Sequence, residues 1–428
     1  MTTASSPTAL STRLDSREAC VGADALDELA GFREEFDLPA GLIYLDGNSL
    51  GPLPRGATRR ALEVVSEEWG EELIGSWNSR GWFDLPTLLG DKLGRLIGAQ
   101  PGEVVVTDST SVNIFKALSA SIAIQAVDHP QRRVIVTEAD EFPTDRYLAT
   151  GIARLIQRGY EVRTVDGPES LAEALDDDVV AVLLSQVNYR TGAMYDLERT
   201  TARIHECGAL AIWDLAHAAG AVPVDLTGAN ADFAVGCTYK FLNAGPGAPG
   251  FIWVAERHQL RASQPLSGWW SHERPFAMHR DYAPAAGIRR YLCGTQPIVS
   301  LSLVETGLDV AVRADIAAVR RKSLRMSDLL IQLVETRLGH HDLRLVTPRP
   351  HVRRGSHVSF SHPRAYQAVQ ALIAKGVVGD YREPGLMRFG ITPLYLRYVD
   401  IWDAVEALRD VLDHGLWEHV DSAQLAVT

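Results

Sequence analysis

The chain has 428 residues, 46% of them hydrophobic and 22% charged, with a formal net charge of −12. That length and balance suit a soluble globular protein with one large and one smaller domain, and the acidic excess argues against nucleic acid or an anionic membrane surface as partner. The four cysteines (Cys20, Cys207, Cys237, Cys293) form no C-x-x-C pair, so they read as reduced thiols of a cytoplasmic protein, not as a disulfide framework or a zinc site.

The N-terminal twenty residues lack the apolar run of a signal peptide, and no later stretch is expected to match the uninterrupted apolar length of a membrane span. A helix-like pattern over Ala23–Phe32 is followed by IYLDGNSLG from Ile43, a short apolar stretch running into a Gly/Asn turn. Pro54 then opens an expected helix over Arg55–Trp69, and the aromatic, glycine-containing Ser76–Trp82 reads as a loop. From Glu103 the pattern is regular. Apolar runs at Val104–Thr107, Val134–Thr137, Val162–Val165, Val179–Leu184, Leu210–Trp213 and Phe233–Gly236 alternate with helical stretches such as Val112–Val127 and Asp196–Cys207. Such alternation means a mostly parallel sheet with helices on both faces, whose ligands bind beyond the carboxyl ends of the strands. After Gly250–Val254 the alternation stops. Gln264–Pro297 is irregular, Ile298–Leu338 is helical with a break near Arg313–Asp315, and residues 340–428 mix a strand (Val358–Ser361) with helices (Arg364–Lys375, Val399–Leu412).

The strand ends carry the candidate chemistry. After the first comes Asp108-Ser109-Thr110-Ser111, hydroxyls that suit an anion at a helix N-terminus and equally suit plain capping. After the second comes Glu141-Phe142-Pro143-Thr144-Asp145, where Phe142 is either a stacking face or a core aromatic. Ser185 opens a polar run through Gly192, and Asp214 and His217 follow the Leu210–Trp213 strand. A carboxylate at a strand end is expensive without a cationic partner, and a protonated pyridine ring is such a partner. Lys240 leaves its strand into a Gly/Pro loop with no acidic neighbour in sequence. An amine withdrawn from water there favours carbonyl trapping, the property of a lysine that holds pyridoxal phosphate. The run Gly245–Gly250 opens no helix and is no dinucleotide fingerprint, and neither a metal motif nor a G-x-S-x-G is present.

On LDGNSLGPLP (Leu45–Pro54), DSTSVN, EFPTD, WDLAHAAG (Trp213–Gly220), YKFLNAGPG (Tyr239–Gly247), SGWWSHE (Ser267–Glu273), GTQPI (Gly294–Ile298) and MRFGITPLY (Met387–Tyr395), the chain resembles kynureninases. These are pyridoxal 5′-phosphate enzymes of fold type I in the aminotransferase class V group. The resemblance covers nearly everything after residue 40. It implies an α/β large domain over 61–307 with a seven-stranded, mostly parallel sheet, and a small α+β domain made of 1–60 and 308–428. It implies Lys240 as Schiff-base lysine and base at Cα, Asp214 on the pyridinium nitrogen, and His217 on the same wall. Thr110, Ser111 and Tyr239 would hold the phosphate, Phe142 would stack on the ring, and Asp145 and Ser185 would lie close to it. Trp269 and Thr295 would come from the second subunit of a homodimer, Arg388 would clamp the substrate carboxylate, and Trp77 would face the aryl group. The implied reaction is hydrolysis of the Cβ–Cγ bond of L-kynurenine, or its 3-hydroxy analogue, to the anthranilate and L-alanine, in tryptophan degradation or NAD biosynthesis. Tyr239, Ser49 and ordered water are the candidate donors to the developing oxyanion. Trp77 and Thr295 favour the substrate without a ring hydroxyl. A cysteine desulfurase would need a thiol on a C-terminal loop, and no cysteine follows Cys293. A transaminase would share Lys240, Asp214 and Arg388.

Overall fold

The computed structural model describes residues 14–421 and 423, except 263. Seven strands form the central sheet: β1 (Val104–Val106), β2 (Val134–Glu138), β3 (Glu161–Val165), β4 (Val179–Ser185), β5 (Leu210–Asp214), β6 (Phe233–Cys237) and β7 (Gly250–Val254). Their order across the sheet is β1-β7-β6-β5-β4-β2-β3, and only β7 runs against the rest. The continuous apolar runs follow from burial on both faces. Along β1, Val104 and Val106 enter one core while Val105 enters the other, and along β5 Ala211 and Trp213 oppose Leu210 and Ile212 in the same way. Helix α1 (Thr110–Asp128) fills one face through Ile114, Ala117 and Leu118, and α2 (Pro143–Ile156) packs beside it. Helix α3 (Leu197–Glu206) and, on the same face, α4 (Ile298–Ala311) cover the other core.

Helix α1 is apolar on average yet interrupted by Asn113, Lys116 and Gln125. It alone among the described residues is long and apolar enough by composition to cross a membrane. It owes that character to its place in the core, against β4, β6 and β7.

A second lobe carries a four-stranded antiparallel sheet. Its strands are β8 (Arg344–Leu345), β9 (His357–Ser361), β10 (Asp380–Arg382) and β11 (Leu386–Gly390), in the order β8-β9-β11-β10. Helix α5 (Ile316–Arg337) packs on it, α6 (Tyr398–Asp413) packs against α5, and Cys20, Leu29, Phe36 and Leu45 from the N-terminal segment share that core. The break between α4 and α5 falls where expected, because Asp315 caps α5 by accepting from the Ala317 N–H at 3.0 Å. The N-terminal helix does not fall over Ala23–Phe32. It spans Arg17–Asp24, capped by the Ser16 hydroxyl, and a 3-10 turn follows at Ala30–Glu35. Asp27 separates the two by accepting from the Leu29 N–H. The expected Arg55–Trp69 helix is α-helical to Leu62 and widens into a π-helix over Glu63–Trp69, and Ser76–Ser79 form a short helix inside the expected loop.

Candidate active site

Lys240 sits three residues beyond β6 in a turn closed from both ends. The Ala244 N–H donates to the Thr238 carbonyl at 3.0 Å, and the Thr238 hydroxyl donates to the Pro249 carbonyl at 2.6 Å. The DGNSLG turn packs directly onto it, with the Gly51 N–H donating to the Tyr239 carbonyl at 2.8 Å. A Cβ at Gly51 would lie 2.5 Å from the Lys240 carbonyl oxygen. Two motifs distant in sequence are thus one piece of structure, and the glycine is what lets them touch.

Beyond the carboxyl ends of β1, β2, β4, β5 and β6 lies a cavity of about 280 Å³. Nine of the expected site residues line it: Thr110, Ser111, Phe142, Asp145, Ser185, Asp214, His217, Tyr239 and Lys240. Lys240 Nζ is 3.0 Å from His217 Nε2 and 5.9 Å from the centroid of the Phe142 ring. His217 is buried, and that burial together with the Lys240 charge pushes its basicity well down. It is therefore neutral and accepts from the ammonium, which puts its own proton on Nδ1.

The cavity floor is acidic. Asp214, at the end of β5 and 4% exposed, accepts from the Ala216 N–H at 2.6 Å. Burial raises it above the usual carboxylate range. Asp145, also buried, is raised further by burial and by the neighbouring Asp214 and Glu141. Glu141 is pushed up to about 7, chiefly by burial, and accepts from the Ser185 N–H at 2.7 Å and the Phe142 N–H at 3.1 Å. Two buried carboxylates, Asp214 and Asp145, beside one half-buried ammonium, with Glu141 behind them, make a place for a second cation. Lys240 thus has the acidic company its own stretch of sequence lacks, supplied by neighbouring strands.

The other end of the cavity suits an anion. Ser109 caps α1 by accepting from the Val112 N–H at 3.3 Å, while the buried Thr110 hydroxyl oxygen has no partner. The first N–H groups of α1 point outward here by the geometry of any helix start. A Cβ at Gly250 would sit 2.9 Å from the Thr110 nitrogen, so a side chain there would crowd this cradle. An anion site at one end and a cation-seeking carboxylate beside an amine at the other fit pyridoxal 5′-phosphate, a phosphate joined to a basic ring and an aldehyde.

Five expected site residues do not line the cavity. Arg388 on β11 is fully buried. Its Nε donates to Asp380 Oδ1 at 2.8 Å, its Nη2 to Asp380 Oδ2 and, at 2.9 Å, to the Ser49 hydroxyl oxygen, and its Nη1 to the Tyr189 carbonyl. Tyr189 lines the cavity and so connects this cluster to it. Although burial opposes it, Arg388 and Arg382 hold Asp380 ionised, below the usual carboxylate range. Trp77 packs against Trp82, Trp269 and Trp270 with ring centroids 6.1, 6.3 and 5.1 Å away, and Thr295 is exposed.

The sequence reading assigned no role to Tyr189, Asp380 or His357. Tyr189 stood in the polar run after β4 and was open to discovery there. His357, fully buried with both ring nitrogens unpartnered and its ring 5.4 Å from that of His217, sits on a strand of the other lobe and gave no local signal.

The family profile for the kynureninase C-terminal domain matches residues 319–408. Kynureninase from Pseudomonas fluorescens is 58% identical over 404 residues, covering 94% of this chain and 97% of that one. Kynureninase from Burkholderia pseudomallei (strain 1106a) is 56% identical over 413 residues, covering 96% of this chain and 99% of that one. Among solved structures, the cysteine desulfurase CsdA from Escherichia coli superimposes with a TM-score of 0.75 over 92% of this chain and 99% of its own, at 18% identity. That likeness carries the fold, a class V pyridoxal-phosphate fold of type I. The near full-length identity to curated relatives carries more, and on it the chain belongs to the kynureninase family.

Proposed function

We propose that the cavity at Lys240 binds pyridoxal 5′-phosphate and hydrolyses the Cβ–Cγ bond of L-kynurenine, giving anthranilate and L-alanine. The observation that carries this reading is the meeting of Lys240, the Asp214–Asp145 pair and the open hydroxyls of α1 in one cavity, in a chain of this family. When bound, the cofactor supplies a ring that takes up the electron pair left at the substrate Cα. Thr110, Ser111 and the start of α1, with Tyr239, hold its phosphate, and Asp214 faces its ring nitrogen. Asp145 keeps the proton that two adjacent buried carboxylates share. Phe142 covers the ring, and Glu141 fixes the Ser185 backbone beside it.

Lys240 takes the Cα proton, and neutral His217 accepts a hydrogen bond from the ammonium that results. Water adds to the Cγ carbonyl, and Tyr239 donates to the oxygen as charge develops. Two facts favour Tyr239 over Ser49 for that task. Ser49 lies outside the cavity and directs its only proton to Asp380 Oδ2 at 2.7 Å. Tyr239 lines the cavity and burial keeps its phenol protonated, its single proton serving the phosphate at rest and the oxygen as charge develops. Arg388, oriented by Asp380, takes the substrate carboxylate in place of its bonds to Ser49 and the Tyr189 carbonyl.

Trp77 is assigned to the aryl end, and Trp269 and Thr295 to the neighbouring site of a cytoplasmic homodimer. The absence of Trp269 and Thr295 from their own chain's cavity supports the dimer, as does an exposed apolar run that includes Trp69 (59%), Leu73 (60%) and Ile74 (80%). A fully active monomer in a sedimentation experiment would remove it. The four free thiols accord with a reducing compartment. The domain division at 61 and 307 belongs to the same reading, supported by the separate cores around the two sheets.

The test is anthranilate fluorescence after addition of L-kynurenine to cofactor-loaded protein, with 3-hydroxykynurenine in parallel. Turnover is expected with both, faster with kynurenine. Release from neither would sink the assignment.

A further inference from the structure

Lys116 is a buried charge that the reaction does not call on. It lies in the middle of α1 with 0% exposure, and its Nζ donates to Asp108 Oδ2 at 2.5 Å and to the Tyr291 carbonyl. Burial alone makes such an ammonium costly, and Asp108 is its compensating charge. Asp108 is unusual as well. It lines the cavity immediately before Ser109, Thr110 and Ser111, and its backbone is left-handed with φ 48°. The Thr107 hydroxyl lies between Asp108 Oδ2, at 2.8 Å, and Gln296 Oε1, at 3.0 Å. One network therefore joins the start of α1 to the segment 291–296, which contains Thr295.

The electrostatics give this network a purpose. The phosphate end of the cavity has a helix N-terminus and hydroxyls to attract a dianion. It also has a carboxylate, Asp108, on the same wall. Apart from Lys240 at the other end, no lysine or arginine among the described residues lines the cavity. An uncompensated Asp108 would repel the phosphate through a low-dielectric interior, where screening by salt is weak. Lys116 supplies the compensation from behind.

We propose that Lys116 is a positioning residue for the cofactor phosphate. By pairing with Asp108 it cancels the negative charge at the phosphate end, and through Tyr291 it fixes that end against the segment bearing Thr295. The proposal rests on the reading that pyridoxal phosphate occupies this cavity.

The experiment titrates cofactor-stripped full-length protein with pyridoxal phosphate and, separately, with pyridoxal, which lacks the phosphate, following cofactor absorbance. Lys116→Met is expected to weaken pyridoxal phosphate at least about tenfold and pyridoxal by no more than about twofold, as expected when one partner of a buried charge pair is removed. Lys116→Met combined with Asp108→Asn should regain most of the loss. Equal weakening of both ligands, no weakening, or no recovery in the double variant would each overturn the proposal. Should Lys116→Met fail to fold by circular dichroism, Asp108→Asn decides. It is expected to bind pyridoxal phosphate at least as tightly, relative to pyridoxal, as the parent does, and a selective loss of the phosphate ligand would overturn the idea. Failure of the unmodified protein to bind pyridoxal phosphate would instead sink the reading beneath it.

Discussion

Arg388 shows how much a single side chain depends on partners that sequence does not place beside it. Its guanidinium is oriented by Asp380, eight residues earlier on the adjacent strand, and by Ser49, more than three hundred residues away in the chain. The planar fork suits the job, and lysine would keep the charge but lose the bidentate hold on Asp380. Arg388→Ala is expected to raise KM for L-kynurenine at least about tenfold while cofactor absorbance is retained, and Arg388→Lys should restore only part of that loss. An unchanged KM would remove Arg388 from the carboxylate role. At this scale the sequence was most legible where a residue follows a strand. Lys240, Asp214, Thr110 and Phe142 all stand at strand ends and all line the cavity, although for Thr110 and Phe142 the strand-end position alone left capping and core packing open. Asp380 and His357 were not, because their relevance comes from the packing of one lobe on the other.

At the scale of elements, β5 has to deliver Asp214 to the cavity, and a second buried aspartate holds the start of that strand. Asp232 accepts from the Ala211 N–H at 2.7 Å, from Arg257 at 2.8 Å, and pairs with His205 and His258 at 2.7 Å each. It thereby ties β5, the end of α3 and the segment after β7 together. Burial by itself would raise Asp232, but the histidine contacts hold it below the usual carboxylate range. Asp232→Ala leaves several donors without an acceptor and is expected to cost about 3–5 kcal/mol of stability, with cofactor binding intact in the folded fraction. Denaturant unfolding measures this, and a loss under about 1 kcal/mol would show the cluster to be incidental. The strands themselves were legible because two-sided burial writes continuous apolar runs. The Arg17–Asp24 helix was misplaced because side-chain caps at Ser16 and Asp27, which set its limits, compete with the hydrophobic pattern.

Across the whole molecule, buried carboxylates behind the cavity wall and beside the Arg388 cluster couple stability to pH. Glu141 and Asp46 are each pushed up to about 7, mainly by burial, so the folded chain holds protons there that the unfolded chain has released above about pH 4.5. Where the folded state binds more protons, stability falls as pH rises. His217 and His357, held neutral by burial and the latter lowered to about 3, act oppositely, but their contribution is complete above about pH 6.5, where unfolded histidines are neutral too. The melting temperature of cofactor-free protein is therefore expected to fall between about pH 6.5 and 8. A slope that is flat or rising would contradict the protonation assigned to these two buried carboxylates.

The central claim is that strand ends separated by more than a hundred residues of chain converge to hold one cofactor at Lys240. The most direct measurement is the visible absorbance of protein purified with pyridoxal phosphate, compared with that of Lys240→Ala. A band at wavelengths well above the protein absorbance is expected to survive gel filtration in the parent and to be lost in the variant. A parent that carries no band, or a variant that retains the parent's band unchanged, would contradict it.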